Sequence, residues 1–192
     1  MSTTHGHPIV QLEKLVAEAC ASQTNVFGYG IWTHHIREVA RHARRLAPRF
    51  GADPEVVEIA ALLHDYAAIK DQDLVEEHHV HGAIEAQRTL ERFGYPQDKI
   101  EAVKHCVLAH RASAPQEKRS PEADCLANAV AHLEQVPSLL FLAFTHLGMG
   151  IDEGTVWVRE KLQRSWNKLS PSVQQMMADT FEAALKTLGA RL

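Results

Sequence analysis

The chain has 192 residues, of which 45% are hydrophobic and 23% charged, as expected for one soluble domain or for one domain with a helical extension. Its formal net charge of −4 excludes the strong basic field with which proteins hold nucleic acid or anionic membranes. The sequence has no apolar run long enough to span a bilayer, no secretory signal pattern, and no CxxC spacing among Cys20, Cys106 and Cys125, so we expect a reduced, cytoplasmic protein without membrane or nucleic-acid partners.

The sequence predicts helices separated by short breaks, without an alternating strand pattern. Asp53-Pro54 and Ser120-Pro121 each supply an N-cap residue followed by a proline at the first helical position. We therefore predict an all-α fold with a single domain over residues 1–192, made of a core over about 30–135 and a helical extension over about 137–192. The first five predicted helices span 9–21, 33–50, 54–66, 78–93 and 96–110. A sixth begins at 121 and is broken by Pro137, and the last two start at Asp152 and at Ser170-Pro171.

The dipeptide His64-Asp65 closes the most apolar of these helices, which we expect to be buried on most sides. Neighbouring positions on a helix point about 100° apart, so both side chains can flank one metal ion, or the carboxylate can bridge two ions. The alternative is a core histidine beside a capping aspartate, and the dipeptide alone does not decide between the two.

The second predicted helix separates two adjacent histidines. His35 shares an apolar stripe with Val39 and Leu46, so we expect it to point inward. His34 shares its face with Arg41 and other charged residues, so we expect it to lie in solvent.

Two further histidines face inward on other helices. His110 ends a stripe with Val103 and Val107, and His78 shares a stripe with Gly82 and other small residues that let a neighbouring helix come close. Several inward histidines near a buried His-Asp pair are costly unless they pair or bind metal. Imidazole and carboxylate together suit Fe, Mn, Co, Ni or Zn, so we predict a site for one or two divalent transition-metal ions. A set of unrelated core histidines is the alternative.

Four segments in chain order resemble the HD-domain superfamily: Trp32-Thr-His-His35, Ala60-Ala-Leu-Leu-His64-Asp65, His78-His-Val-His-Gly82-Ala83 and Cys106-Val-Leu-Ala-His110-Arg111. The resemblance implies a helical, metal-dependent phosphohydrolase that acts on a small phosphorylated metabolite or nucleotide. The ligands that it implies are His35, His64 and Asp65 for a first ion, and Asp65, His78 and His110 for a second. His78 is chosen over His79 because it stands four residues before the Gly-Ala pair. A minority of the family are di-iron oxygenases, which is the alternative activity.

One position departs from the family pattern. Val130 stands where the family has its closing aspartate ligand, and valine has no donor atom. The resemblance therefore implies a weakened first metal, or a degenerate module that binds metal or ligand without turnover. Asn128 and His132 face away from this position on a helix, whereas Glu134 at i+4 could reach back.

Phosphate binding and catalysis need further residues. The resemblance implies that Asp65 bridges the metals and orients the nucleophile. Lys70 and Arg111 follow the two ligand motifs and could hold a phosphate, although solvated surface charge is the alternative for both. His34 and His79 are candidate acids or substrate ligands. No motif identifies the substrate, and a homo-oligomer stays open.

Overall fold

The structure is a computed structural model that describes residues 8–111, 120–130 and 135–189. Regular structure within these ranges is helical throughout, which confirms the all-α prediction. No helix in the described part of the chain is long and apolar enough to cross a membrane. The α-helices are α1 (Pro8–Cys20), α2 (Arg37–Phe50), α3 (Pro54–Leu63), α4 (Tyr66–Lys70), α5 (His78–Arg92), α6 (Gln97–Ala109), α7 (Pro121–Ala129), α8 (Val136–Phe141), α9 (Ile151–Trp166) and α10 (Pro171–Thr187). A first π-helix (Trp32–Ile36) precedes α2, a 3-10 turn (Gln72–Leu74) precedes α5, and a second π-helix (Leu142–His146) follows α8.

The chain forms two compact units, Met1–Ala129 and Val130–Leu192. The first unit contains α1 to α7, and the second contains α8 to α10. The predicted organisation as one domain with a helical extension stays a prediction.

Helix α3 is buried along nearly its whole length in the first unit. Every residue from Val56 to Leu63 is buried, because α3 packs against α1, α2, α6 and α7. Its start is fixed by the carboxylate of Asp53, which accepts the backbone N–H of Glu55 at 2.8 Å and that of Val56 at 3.3 Å. The Asp53 N–H in turn donates to Glu122 of α7 at 3.0 Å, so the beginnings of these two helices are tied together.

The predicted helix over 54–66 is wrong at its C-terminal end. Helix α3 ends at Leu63, Asp65 adopts φ −107° and ψ 6°, and α4 begins at Tyr66. This conformation lies in the bridge region between the helical and extended ranges, where many active-site residues are found. His64 and Asp65 are therefore not successive positions of one helix, and the break sets the direction of the aspartate side chain.

Pro137 begins a helix instead of breaking one. Helix α7 ends at Ala129, and Pro137 lies in the first turn of α8. Proline is tolerated there because its missing N–H would have no partner within the helix.

The second unit is held by close packing of aromatic rings. Trp166 of α9 and Phe181 of α10 stack with ring centroids 4.3 Å apart. The second π-helix approaches α9 at Gly154, where an added Cβ would lie 2.6 Å from Cε1 of Phe144. A side chain at position 154 would therefore separate these two elements.

Candidate metal centre

The first unit brings together the five residues that the sequence predicts as metal ligands. They come from four irregularities or helix ends. His35 lies in the first π-helix, and His64 and Asp65 lie in the break between α3 and α4. His78 is the first residue of α5, and His110 follows α6. They form two groups whose candidate ligand atoms lie within 4.8 Å of one another. The groups are His35, His64 and Asp65, and Asp65, His78 and His110.

The first group is centred on one carboxylate oxygen of Asp65. The Oδ2 atom lies 3.0 Å from Nε2 of His35 and 3.3 Å from Nε2 of His64. The two imidazole Nε2 atoms are 3.1 Å apart. Three donor atoms therefore converge on one point, as the ligands of a small cation do.

The second group uses the other oxygen of the same carboxylate. The Oδ1 atom of Asp65 lies 3.5 Å from Nε2 of His78 and 3.9 Å from Nε2 of His110. These two Nε2 atoms are again 3.1 Å apart. Asp65 thus presents one oxygen to each group, which is the arrangement that a carboxylate shared by two cations requires.

Hydrogen bonds to the backbone determine which nitrogen of each ring faces the site. His64, His78 and His110 each donate their Nδ1–H to the carbonyl three residues earlier. The acceptors are the carbonyls of Ala61, Val75 and Val107, at 2.7, 2.7 and 2.5 Å. A neutral imidazole has one N–H, so Nε2 of these rings carries a lone pair directed into the site. Metal-ligating histidines commonly have this arrangement, in which the second nitrogen donates to a carbonyl, so the donor set fits divalent transition metals.

The charges in the site favour a bound cation. Burial opposes ionisation of Asp65, but His64 and His35 outweigh it and hold the pKa of the carboxyl well below its ordinary value. Burial, and then the neighbouring His64, lower the pKa of His110 to about 3. For His64, burial is outweighed by Asp65, and its pKa is raised. The centre therefore combines an ionised carboxylate with a neutral His110, and the Asp65 side chain is 21% exposed.

Close packing of α5 on the break keeps the two groups next to each other. An added Cβ on Gly82 would lie 3.1 Å from Cγ1 of Val107 and 3.3 Å from the carbonyl oxygen of His64. The prediction that small residues on this face of α5 allow close approach is therefore confirmed. Sequence inspection missed the Nδ1–H bonds, although their spacing of three residues is a pattern that helix ends make available.

The two basic side chains predicted near the site, Lys70 and Arg111, have carboxylate partners. Lys70 donates to Glu85 at 2.6 Å, and its ammonium lies 5.3 Å from the centroid of the Tyr66 ring. Arg111 donates to the backbone carbonyl of Glu76 and, at 3.2 Å, to the Glu76 carboxylate.

The remaining predicted residues differ in their exposure. His34 is exposed, whereas His79 is buried and its Nδ1 atom has no hydrogen-bond partner in the described part of the chain. Burial, and then His78, lower the pKa of His79. Val130 follows the end of α7 and is half-buried, and its predicted effect on the first metal stays a prediction. His132 and Glu134 lie outside the described residues.

An all-helical fold with two histidine–carboxylate groups sharing one aspartate defines a class of candidate metal-dependent enzymes. The sequence profile of the HD domain matches residues 32–132, more than half of the chain and the whole span from His35 to His110. The chain therefore belongs to the HD domain family, a family of metal-dependent hydrolases.

Solved structures share the fold over nearly the full chain. Bacillus subtilis YpgQ is 19% identical with a TM-score of 0.72, covering 95% of this chain and 92% of that one. The same protein in complex with ADP gives a TM-score of 0.70 at 19% identity, with 94% of each chain covered. A predicted HD superfamily hydrolase from an uncultured Thermotogales bacterium gives a TM-score of 0.59 at 18% identity, covering 94% of this chain and 88% of that one. No curated protein sequence matches significantly.

Proposed function

We propose that this protein is a metal-dependent phosphohydrolase that acts on a small phosphorylated metabolite or nucleotide. The observation that carries the proposal is the pair of three-ligand groups that share Asp65. Membership of the HD domain family supports hydrolysis. The ADP complex of YpgQ, a protein of the same fold, supports a nucleotide or a compound of similar chemistry as the ligand.

The five candidate ligands would hold the divalent cations and fix their positions. Divalent cations held by them would supply Lewis acidity toward a phosphoryl oxygen and a nucleophile derived from water at neutral pH. Asp65 would offset positive charge at both positions and keep them adjacent. His64 and His110 are oriented by their carbonyl partners, so the rings need little reorganisation on binding.

Two basic side chains are candidates for binding the phosphate of the substrate. Lys70 and Arg111 follow the ligand motifs in sequence, and an arginine can bind a phosphate with two parallel hydrogen bonds. Each would exchange its carboxylate partner for a phosphate, Glu85 in the case of Lys70 and Glu76 in the case of Arg111. His34 and His79 stay candidate substrate ligands. The cytoplasmic location and the oligomeric state stay predictions.

The proposal is tested by phosphate release from a panel that starts with ADP and continues with other nucleotides and sugar phosphates. The assay compares protein loaded with Mn²⁺ and protein treated with a chelator. Asp65→Ala should abolish turnover, while Asp73→Ala, an exposed aspartate outside both ligand groups, should leave it unchanged. Turnover that survives both the chelator and Asp65→Ala would contradict the proposal. Bound iron with oxygen consumption and no phosphate release would favour the di-iron oxygenase instead.

The alternative of a module that binds metal without turnover rests on Val130. It predicts intact metal binding and no hydrolysis anywhere on the panel. Under the hydrolase proposal, Val130→Asp restores the carboxylate of the family pattern and should raise both metal content and activity. Equal metal affinity and equal activity in the two proteins would mean that position 130 does not correspond to the family's ligand.

A further inference from the structure

We infer that Arg111 is a positioning residue, which orders the start of α5 and through it the candidate ligand His78. This role deepens the proposed function and rests on it, since His78 is positioned for a metal. For Arg111 this role is the alternative to the phosphate binding considered above, because a positioning residue keeps its contact with Glu76 and acts on the metal ligand, not on the substrate.

The contacts of Arg111 reach the chain just before α5. Its Nη1 donates to the backbone carbonyl of Glu76, and its Nη2 lies 3.2 Å from the Glu76 carboxylate. The Arg111 side chain is 22% exposed, whereas that of Glu76 is 89% exposed. An ion pair to so exposed a carboxylate contributes little. The charge-assisted bond to the backbone carbonyl is the stronger contact, and it fixes main chain instead of a mobile side chain.

The segment held by Arg111 carries the hydrogen-bond acceptor of His78. The Val75 carbonyl accepts the Nδ1–H of His78 at 2.7 Å, and Glu76 is the next residue. A bond that fixes the Glu76 peptide therefore also limits rotation of the neighbouring Val75 carbonyl. The orientation of the His78 ring depends on that carbonyl, because the bond keeps Nε2 directed at the site.

The start of α5 needs such support because it lacks a side-chain cap. His78 is the first residue of α5, and Glu77 before it has φ −106° and ψ 23° with no side-chain hydrogen bond to the helix. Its first N–H groups have backbone partners alone, since His78 donates to the Val75 carbonyl at 3.5 Å and Val80 to the Glu77 carbonyl at 2.9 Å, and a first turn without a side-chain cap frays more readily. A ligand placed in such a turn loses its fixed position unless another element holds the segment. Arg111 supplies this contact from the end of α6, one residue after the candidate ligand His110.

The test compares Arg111→Gln with Glu76→Ala in the full chain. Glu76→Ala removes the carboxylate but keeps the backbone carbonyl, so it is the matched control. In metal-free protein, Arg111→Gln should speed amide hydrogen exchange at Val80 and His81, whose N–H groups bond to the Glu77 carbonyl at 2.9 and 3.1 Å. In Mn²⁺ titrations, Arg111→Gln should weaken binding to the second group by up to about 10-fold, the low end of the loss that follows removal of a ligand's own hydrogen-bond partner. Glu76→Ala should change neither quantity.

Contrary outcomes separate this inference from the proposed function. Unchanged exchange and unchanged Mn²⁺ affinity in Arg111→Gln, with a raised KM for a phosphorylated substrate, would overturn positioning and assign Arg111 to the phosphate. If Arg111→Gln does not fold, Arg111→Met replaces it, since methionine keeps the apolar part of the side chain but donates no hydrogen bond; unchanged Mn²⁺ affinity there would also overturn the inference. Wild-type protein that binds no Mn²⁺ would overturn the proposed function, whereas the exchange comparison would still decide whether Arg111 orders α5.

Discussion

The Nε2 atoms of His78 and His110 lie 3.1 Å apart, although both rings donate their Nδ1–H to backbone carbonyls. When both rings are neutral, neither Nε2 carries a proton, and the two nitrogens cannot hydrogen-bond to each other. Burying two lone pairs against one another is unfavourable. A divalent cation between the two rings would accept both Nε2 lone pairs. The geometry of this pair therefore supports a metal site more strongly than the number of histidines does.

Replacing one ligand should remove the second ion selectively. His78→Gln removes an imidazole ligand from the second group. Loss of a hydrogen-bond partner of a metal ligand lowers metal affinity ~10–100-fold, so we expect the Mn²⁺ affinity of the second group to fall by more than that. His81→Gln is the matched control, because His81 lies on the same helix and belongs to neither group. Calorimetric titration of the metal-free proteins measures both. Equal affinities in the two variants would contradict the assignment of His78.

Gly82→Ala should disturb the site through the backbone. The new Cβ would lie 3.3 Å from the His64 carbonyl oxygen and 3.1 Å from Cγ1 of Val107. Overpacking costs about 1–3 kcal/mol, whereas alanine gains ~1 kcal/mol over glycine in a helix. The cost prevails because one of the two neighbours is the backbone oxygen of His64, which cannot rotate away as a side chain can. We expect a lower free energy of unfolding and weaker metal binding. Gly30→Ala is the control, since Gly30 also lies in a helical turn and its added Cβ would come no closer than 3.6 Å, to Cδ2 of His34. Equal stability of the two variants would refute the close contact.

The cap of α3 supports the helix that ends at Leu63, directly before the candidate ligand His64. Asp53→Ala removes the acceptor for the N–H groups of Glu55 and Val56, and loss of such a cap costs about 1 kcal/mol. Asp53→Asn keeps an acceptor oxygen and should retain most of that stability. Urea unfolding near neutral pH measures the difference. If Asp53→Ala and Asp53→Asn unfold at the same urea concentration, the side chain does not act as a cap.

The same cap should give a pH dependence. Burial opposes ionisation of Asp53, but the N–H groups of Glu55 and Val56, and then Lys99, outweigh it and hold its pKa below the ordinary 3.8. A lowered folded-state pKa contributes stability that is present above the unfolded-state pKa and is lost as the pH falls through the folded-state value. The stability difference between wild type and Asp53→Asn should therefore shrink in acid. A difference that stays constant across an acid titration would show that the charge of Asp53 contributes nothing.

The candidate ligands could be predicted from the sequence because helical periodicity separates inward from outward histidines. It distinguished buried His35 from exposed His34 on neighbouring positions. The pattern of small residues around Gly82 likewise predicted the close approach of α5. Both predictions depend on the spacing of side chains along a regular helix, which the sequence contains in full.

The irregular backbone at the site could not be predicted in the same way. The apolar pattern of α3 continues past Asp65 to buried Ile69, so nothing in the hydrophobicity marks the break between α3 and α4. The first π-helix, which carries His35, adds a residue to a helical turn without a change in composition. Tertiary contacts determine both features, and both direct ligands into the site.

Elemental analysis of the purified protein beside Asp65→Ala decides whether the five residues form a metal centre. Because Asp65 is shared by both ligand groups, we predict one or two divalent transition-metal ions per wild-type chain and loss of most of this metal in the variant. Circular dichroism should show that both proteins remain helical. Full metal occupancy in Asp65→Ala, or a folded wild-type protein that takes up no transition metal when Mn²⁺, Fe²⁺, Co²⁺, Ni²⁺ or Zn²⁺ is supplied, would contradict the account.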